Sequence, residues 1–196
     1  MSEDQRDQSA PIISIVGDEV TLGPFRRDLL SLYHRWTNDF EVLRTHRQRL
    51  RTSTLEATEI WYEAVSKGES GIVDFLVSEK ATMRPIGYAT LDAVDHFSRT
   101  ATFGILLGEK ECWGRGYGTE TTRLMLGYGF GVLGLHNIDL TVVDFNSRGI
   151  RACERAGFRV TGRRREAWRL GDRLYDLVSM ECLATEFAVS AVSAST

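Results

Sequence analysis

A chain of 196 residues with 42% hydrophobic and 26% charged residues is long enough to bury a real core in one domain or slightly more. No stretch approaches the roughly 18 apolar residues of a membrane-crossing helix, and residues 1–10 are polar and acidic, unlike a secretory signal. The net charge of −3 is too small to point to a nucleic-acid or membrane partner.

Three widely spaced cysteines, Cys112, Cys153 and Cys182, suit a reducing compartment, so a cytoplasmic protein is expected. Their spacing fits neither a disulfide framework nor a zinc site, and no metal is expected.

Residues 1–11 read as a disordered lead-in. Residues 12–22 alternate loosely and predict a first strand, with Gly17-Asp18 as a turn inside it. Leu29, Leu30, Leu32, Tyr33 and Trp36 fall near helical spacing, which predicts a helix over 26–36. Thr52-Ser53-Thr54 precedes a second predicted helix, 55–67, with Glu56 as capping-box partner of Ser53. Strands are predicted over 72–77 and 86–94, separated by the turn Met83-Arg84-Pro85. A polar turn over 95–99 leads into a fourth strand, 100–107.

Next comes Cys112-Trp113-Gly114-Arg115-Gly116-Tyr117-Gly118-Thr119-Glu120, with three glycines in five positions, followed by a helical pattern over 119–134. A strand that ends in a glycine-rich turn opening a helix presents free backbone N–H groups and the positive end of a helix dipole to one point, which favours an anion, most often phosphate. Glycine permits positive φ and close approach of a ligand to the bare backbone. A plain tight loop is the bland reading of the same turn. A Rossmann site would need this turn on the first strand of a repeated βαβ unit, whereas several strands come first here.

A fifth strand is predicted over 137–145, and a helix capped by Ser147 and ended by Gly157. Residues 158–168 and 173–183 predict a hairpin across Leu170-Gly171-Asp172, and the small, Ser-rich end frays. The expected organisation is a lead-in, one domain over 12–187 and a tail over 188–196, with a mixed sheet.

Trp113-Gly114-Arg115-Gly116-Tyr117-Gly118-Thr119-Glu120, Leu135-His136-Asn137, Asn146 and Glu154-Arg155-Ala156-Gly157-Phe158 together resemble the GNAT superfamily of acyl-CoA-dependent N-acetyltransferases. Gly162-Arg163 and 171–176 point to its RimJ/RimL-type branch, which acetylates α-amino groups of ribosomal proteins and includes relatives acting on small amines. The resemblance covers about 12–187. It implies an α/β (α+β) GNAT-type acyl-CoA N-acyltransferase fold. A central mixed, mostly antiparallel sheet has its fourth and fifth strands splayed and helices on its flanks.

The resemblance also assigns roles. Backbone N–H groups of Trp113, Gly114, Arg115, Gly116, Tyr117, Gly118 and Thr119 would hold the CoA pyrophosphate, with the Arg115 side chain beside it. Unpaired backbone groups near Ile105, Leu106 and Leu107 would take the pantetheine amides and polarise the thioester carbonyl. Asn146 would bond the pantetheine arm; read without the family it is a turn former. Cys153 stands where many relatives carry a tyrosine general acid, so it is either a thiol acid or an inert buried hydrophobe.

Thr102 stands near where many relatives have a glutamate base, which leaves Asp92, Asp95 and His96 as candidates or as turn residues. Arg44, His46, Arg47, Arg49 and Arg51 form a basic run, either a solvated loop or a wall of the acceptor site that repels polyamines. Trp36, Trp61, Tyr62 and Tyr175-Asp176 either face that site or serve packing and hydrogen bonding.

The reading expects an acetyltransferase using acetyl-CoA and an amine acceptor, by direct attack without a covalent enzyme intermediate. The expected acceptor is a protein or peptide amino terminus. A small-molecule amine such as an amino acid, antibiotic or polyamine is the alternative, and a non-catalytic acyl-CoA-binding module is another. The resemblance is compatible with a homodimer.

Overall fold

The computed structural model describes residues 11–45, 51–68 and 71–187. Residues 1–10 of the expected lead-in over 1–11, the tail over 188–196, and His46, Arg47 and Arg49 of the basic run lie outside the described residues.

One eight-stranded sheet runs β1 (Ile15–Val16), β2 (Val20–Gly23), β3 (Val73–Glu79), β4 (Pro85–Asp95), β5 (Thr100–Leu107), β6 (Asn137–Val143), β8 (Arg173–Leu183), β7 (Arg159–Leu170). Every neighbouring pair is antiparallel except β5 with β6. That pair is parallel because α4 (Tyr117–Gly131) carries the chain back across the sheet. The expected strand over 12–22 is a short hairpin, β1–β2. Its turn is closed by Gly17 N–H to Val20 C=O at 2.9 Å and by Glu120 of α4, which accepts the Glu19 N–H at 2.9 Å.

Strand alternation sorts the side chains onto two faces. Phe75, Val77, Ala89, Leu91 and Phe103 meet Met125 and Leu126 of α4. Leu76, Tyr88 and Leu106 meet Tyr33 and Trp36 of α1 (Leu30–Trp36), and Val42 and Leu43 of α2 (Phe40–Leu43). The predicted first helix is a 3₁₀ turn, Arg27–Leu29, running into α1; α2 was not expected. Asp39 makes α2 possible by accepting the N–H groups of Glu41 and Val42.

Trp36 belongs to this core and not to an acceptor site. It is 1% exposed, its indole N–H donates to Glu109 Oε1 at 2.7 Å, and its ring lies so close to Gly108 that a Cβ there would sit 2.2 Å away. Burying a side chain of this size is worth about 3 kcal/mol.

Three caps differ from expectation. α3 (Leu55–Ser66) is capped by Thr54, whose Oγ1 accepts the Ala57 N–H at 3.2 Å; position N3 is therefore Ala57, and no Ser53–Glu56 box forms. α4 opens at Tyr117, two residues early, because Gly116 at φ +92° supplies its N-cap. α5 (Ser147–Ala156) is capped by Asn146, whose Oδ1 accepts the Gly149 N–H at 2.9 Å, and not by Ser147. Gly157, at φ +123°, ends α5 as expected.

Candidate active site

The site begins where the sheet opens. β5 and β6 pair only at Thr100, Ala101 and Thr102 opposite Asn137, Ile138 and Asp139, and beyond Thr102 the strands diverge. The Gly108 N–H bonds Ile86 C=O, which puts Leu106 with Tyr88 and Gly104 with Thr90 in mutually bonded pairs of the β4–β5 ladder. Backbone groups of Phe103, Ile105 and Leu107 therefore face the gap. Leu106 is turned the other way and spends its backbone groups on β4, contrary to its expected role. The last parallel rung, Thr102 with Asp139, uses the Phe103 N–H, and the Leu107 C=O is already taken by the Trp113 indole N–H at 2.9 Å, which leaves Ile105 as the residue with both groups aimed into the gap.

Two cavities meet at this gap. One, of about 600 Å³, lies between the end of β5, the glycine turn and α5. The other, of about 490 Å³, lies over the face of β3, β4 and β5 beneath α3. Thr45, Ile105, Asn146, Gly149 and Cys153 line both.

The first cavity has the chemistry of an anion cradle. Gly114 (φ +78°) and Gly116 (φ +92°) hold conformations that L side chains rarely adopt, and the space above both is open. The first intrahelical bond of α4 runs from Glu120 N–H to Gly116 C=O, so the N–H groups of Tyr117, Gly118 and Thr119 have no partner within the helix. Trp113 drops out of the expected set of donors, because its N–H already donates to Lys110 C=O at 3.0 Å.

The Arg115 side chain turns away. It pairs with Glu79 at 3.4 Å and lies over the Tyr117 ring at 5.0 Å, while the Tyr117 hydroxyl donates to Glu79 at 2.6 Å. The positive charge comes instead from α5. Arg148, Arg151 and Arg155 line the cavity, and the Arg148 guanidinium stacks 4.0 Å over the Trp113 ring. Sequence reading missed these three. Their spacing of three and four after Asn146 marks one helix face and was the available signal.

The second cavity is acidic. Asp74, Tyr88, Thr90, Asp92 and Thr102 line it together with Trp61 of α3. Asp92 is where expected and accepts from Thr90 Oγ1 at 3.1 Å. Burial, with a smaller contribution from the charge of Asp92, pushes the Asp74 carboxyl up to about 6. Burial and the same two carboxylates push the Tyr88 phenol upward. Asp74 was not singled out, although a charge inside the apolar run Val73-Asp74-Phe75-Leu76-Val77 is a departure from strand pattern.

The other candidates separate. His96 is exposed in the turn after β4, and the Asp95 carboxylate accepts the N–H groups of Phe97 and Ser98; neither lines a cavity. Cys153 lies where the cavities meet, and burial pushes its thiol up to about 12. Arg44 is exposed and stacks at 5.4 Å on Phe145, which meets Tyr175 edge-on at 4.7 Å. This cluster adjoins Thr45 and Asn146 without lining either cavity. Asp176 is structural, accepting from Glu166 N–H at 2.9 Å and from Arg163 at 3.1 Å.

The splayed parallel pair, the glycine turn and the crossover helix match a known arrangement. The family model of the acetyltransferase (GNAT) domain matches residues 19–159. The chain belongs to the GNAT acetyltransferase family. It is 28% identical over 144 residues to spermidine N(1)-acetyltransferase of Escherichia coli (strain K12), covering 73% of this chain and 74% of that one. It is also 28% identical over 161 residues to alpha/beta-tubulin-N-acetyltransferase 9 of Homo sapiens, covering 74% of each. Spermidine N-acetyltransferase of Vibrio cholerae, solved with CoA and spermine, superposes with a TM-score of 0.79 at 23% identity, over 87% of this chain and 98% of that one. At that identity the likeness speaks for the fold. Among the described residues, no helix is long and apolar enough to cross a membrane.

Proposed function

We propose that this GNAT acetyltransferase moves the acetyl group of acetyl-CoA to a primary amine of a small cationic acceptor of the polyamine class. The observation that carries the reading is the pairing of a basic, amide-lined cradle with an acidic cavity across one gap in the sheet. The cradle fits a diphosphate: free N–H groups at the start of α4, open space over Gly114 and Gly116, and three arginines. Acetyl-CoA supplies an activated thioester.

The chain's own residues do the rest. Arg148, Arg151 and Arg155 neutralise phosphate, and the backbone of Ile105 takes the pantetheine amides and polarises the acyl carbonyl. Asn146, already committed to capping α5, borders the same path. Cys153 keeps its proton through the working pH range and acts as packing and a hydrogen-bond donor. The acidic cavity attracts the cation, and the meeting of the two cavities sets amine against acyl carbon.

The spermidine acetyltransferase relatives support this acceptor over the amino terminus expected from a RimJ/RimL-type branch. The basic run was expected to repel polyamines; of its described members Arg44 is exposed and Arg51 lines a neighbouring cavity that shares Trp61 and Tyr88 with the acidic one, and neither lines the acidic cavity itself. One observation keeps a protein acceptor as the second reading: the equal identity to a human tubulin acetyltransferase.

Free-thiol release from acetyl-CoA, followed across diamines, polyamines, amino acids and peptides, tests the proposal. Turnover of polyamines in preference to peptides is expected. Turnover of peptides alone would move the protein to the second reading, and CoA binding without turnover would make it a binding module.

A further inference from the structure

Thr102 carries no ionisable group, so the proton of an acceptor ammonium has to leave by another route. Asp74 on β3 stands opposite Thr90 on β4, and Asp92 lies two residues further along β4, so Asp74, Thr90 and Asp92 share one sheet face. Asp92 stands opposite Thr102 on β5, which puts both carboxylates on the face that looks into the acidic cavity. The wall contributed by α3 is Trp61, Ala64 and Val65, and among the described residues no lysine, arginine or histidine lines this cavity. The Thr90 hydroxyl, at 3.1 Å, anchors Asp92.

We propose that Asp74 is the group that accepts the proton of the acceptor's ammonium, with Asp92 fixing the cation beside it. The inference rests on the acetyl-transfer reading above. One N–H bond of the ammonium breaks and an O–H bond forms on Asp74, which frees the nitrogen lone pair. That pair forms the new C–N bond to the acyl carbon as the C–S bond breaks, with its electrons leaving on sulfur. The second N–H proton goes to the thiolate, giving free CoA, and Asp74 returns its proton to water. The titratable groups that act on Asp74 are Asp92 and Tyr88 from β4, and α3 brings the apolar Trp61, Ala64 and Val65 to the same cavity. Burial and the charge of Asp92 make it a better base than an ordinary aspartate, yet still ionised at pH 7.

The test uses the full chain, acetyl-CoA, and Asp74→Asn and Asp74→Glu variants. Two acceptors are compared, an aliphatic diamine and an aromatic amine that is neutral at pH 7. CoA binding should be equal in all variants. On the diamine at pH 7, kcat/KM of D74N should fall on the order of 100-fold, the size of one proton-transfer contribution, and D74E should recover most of it. The loss should shrink as pH approaches about 10, where an aliphatic amine deprotonates unaided. The aromatic amine should be nearly indifferent to D74N; if wild type does not turn it over, the pH arm alone decides.

An unaffected D74N, or an equal loss on both amines at every pH, overturns the role of Asp74 and leaves the transferase reading standing. Wild type that binds CoA but turns over no amine overturns the transferase reading, and the role of Asp74 with it.

Discussion

Asp74 should make the folded protein less stable at neutral pH than it would be with a neutral side chain. Its carboxyl titrates at about 6 in the folded chain, against 3.8 for an unperturbed aspartate. Below about pH 4 both states hold the proton, and the group contributes nothing to pH dependence. As pH rises from 4 to 6 the unfolded chain releases its proton first, so unfolding is favoured. Above 6 the penalty is complete. At full strength the shift would be worth about 3 kcal/mol, but the group is only half-buried, and screening by solvent leaves about 1 kcal/mol. Asp74→Asn removes the charge at nearly constant volume. Urea titrations at pH 8 and pH 4 should show D74N more stable than wild type by about 1 kcal/mol at pH 8, with the gain gone at pH 4. A D74N variant less stable at pH 8, or equally shifted at both pH values, would refute the assignment of a desolvated charge beside Asp92.

Other expectations follow from single contacts. Gly116→Glu forces a side chain to φ +92° at a strain of about 1–2 kcal/mol and puts negative charge over the cradle, so CoA affinity should collapse while circular dichroism stays native; undiminished affinity would exclude this turn. Cys153→Ala should leave the pH–rate profile unchanged between neutrality and pH 9, because the thiol stays protonated up to about 12; a new alkaline fall would restore it as a proton donor. At Gly149 a Cβ would lie 2.5 Å from Asn146 Nδ2, so Gly149→Ala should dislodge the α5 cap, cost about 1 kcal/mol in denaturant, and lower kcat/KM; an unchanged variant would show that Asn146 has room to adjust.

Much of the scaffold was legible because its signals are local. The strand over 100–107, the glycine turn, the crossover helix and the closing hairpin follow from periodicity and punctuation at known places. The helix caps were harder: Thr54 and Asn146 each adjoin another residue able to cap, and only the backbone angle decides between them. The resemblance carried the family and the splay; the sequence alone does not show that β5 and β6 part after Thr102.

The side chains of the site were read less well, for two physical reasons. Arg115 and Tyr117 sit beside the right backbone, but Glu79 on β3 is a stronger partner than open solvent and draws both away. Asp74 and Asp92 are 18 residues apart in the chain, and register alone brings them to one face. For Trp36 the structure decides between the two readings in favour of packing: the ring lies against Gly108 and its N–H bonds Glu109.

The most direct measurement is a crystal structure of the protein with CoA and an aliphatic diamine. The diphosphate should lie on the amides that open α4, the thiol beside Ile105 and Cys153, and a diamine nitrogen within hydrogen-bonding distance of Asp74 or Asp92. Coenzyme bound away from the glycine turn, or a diamine nitrogen remote from both aspartates, would contradict this arrangement.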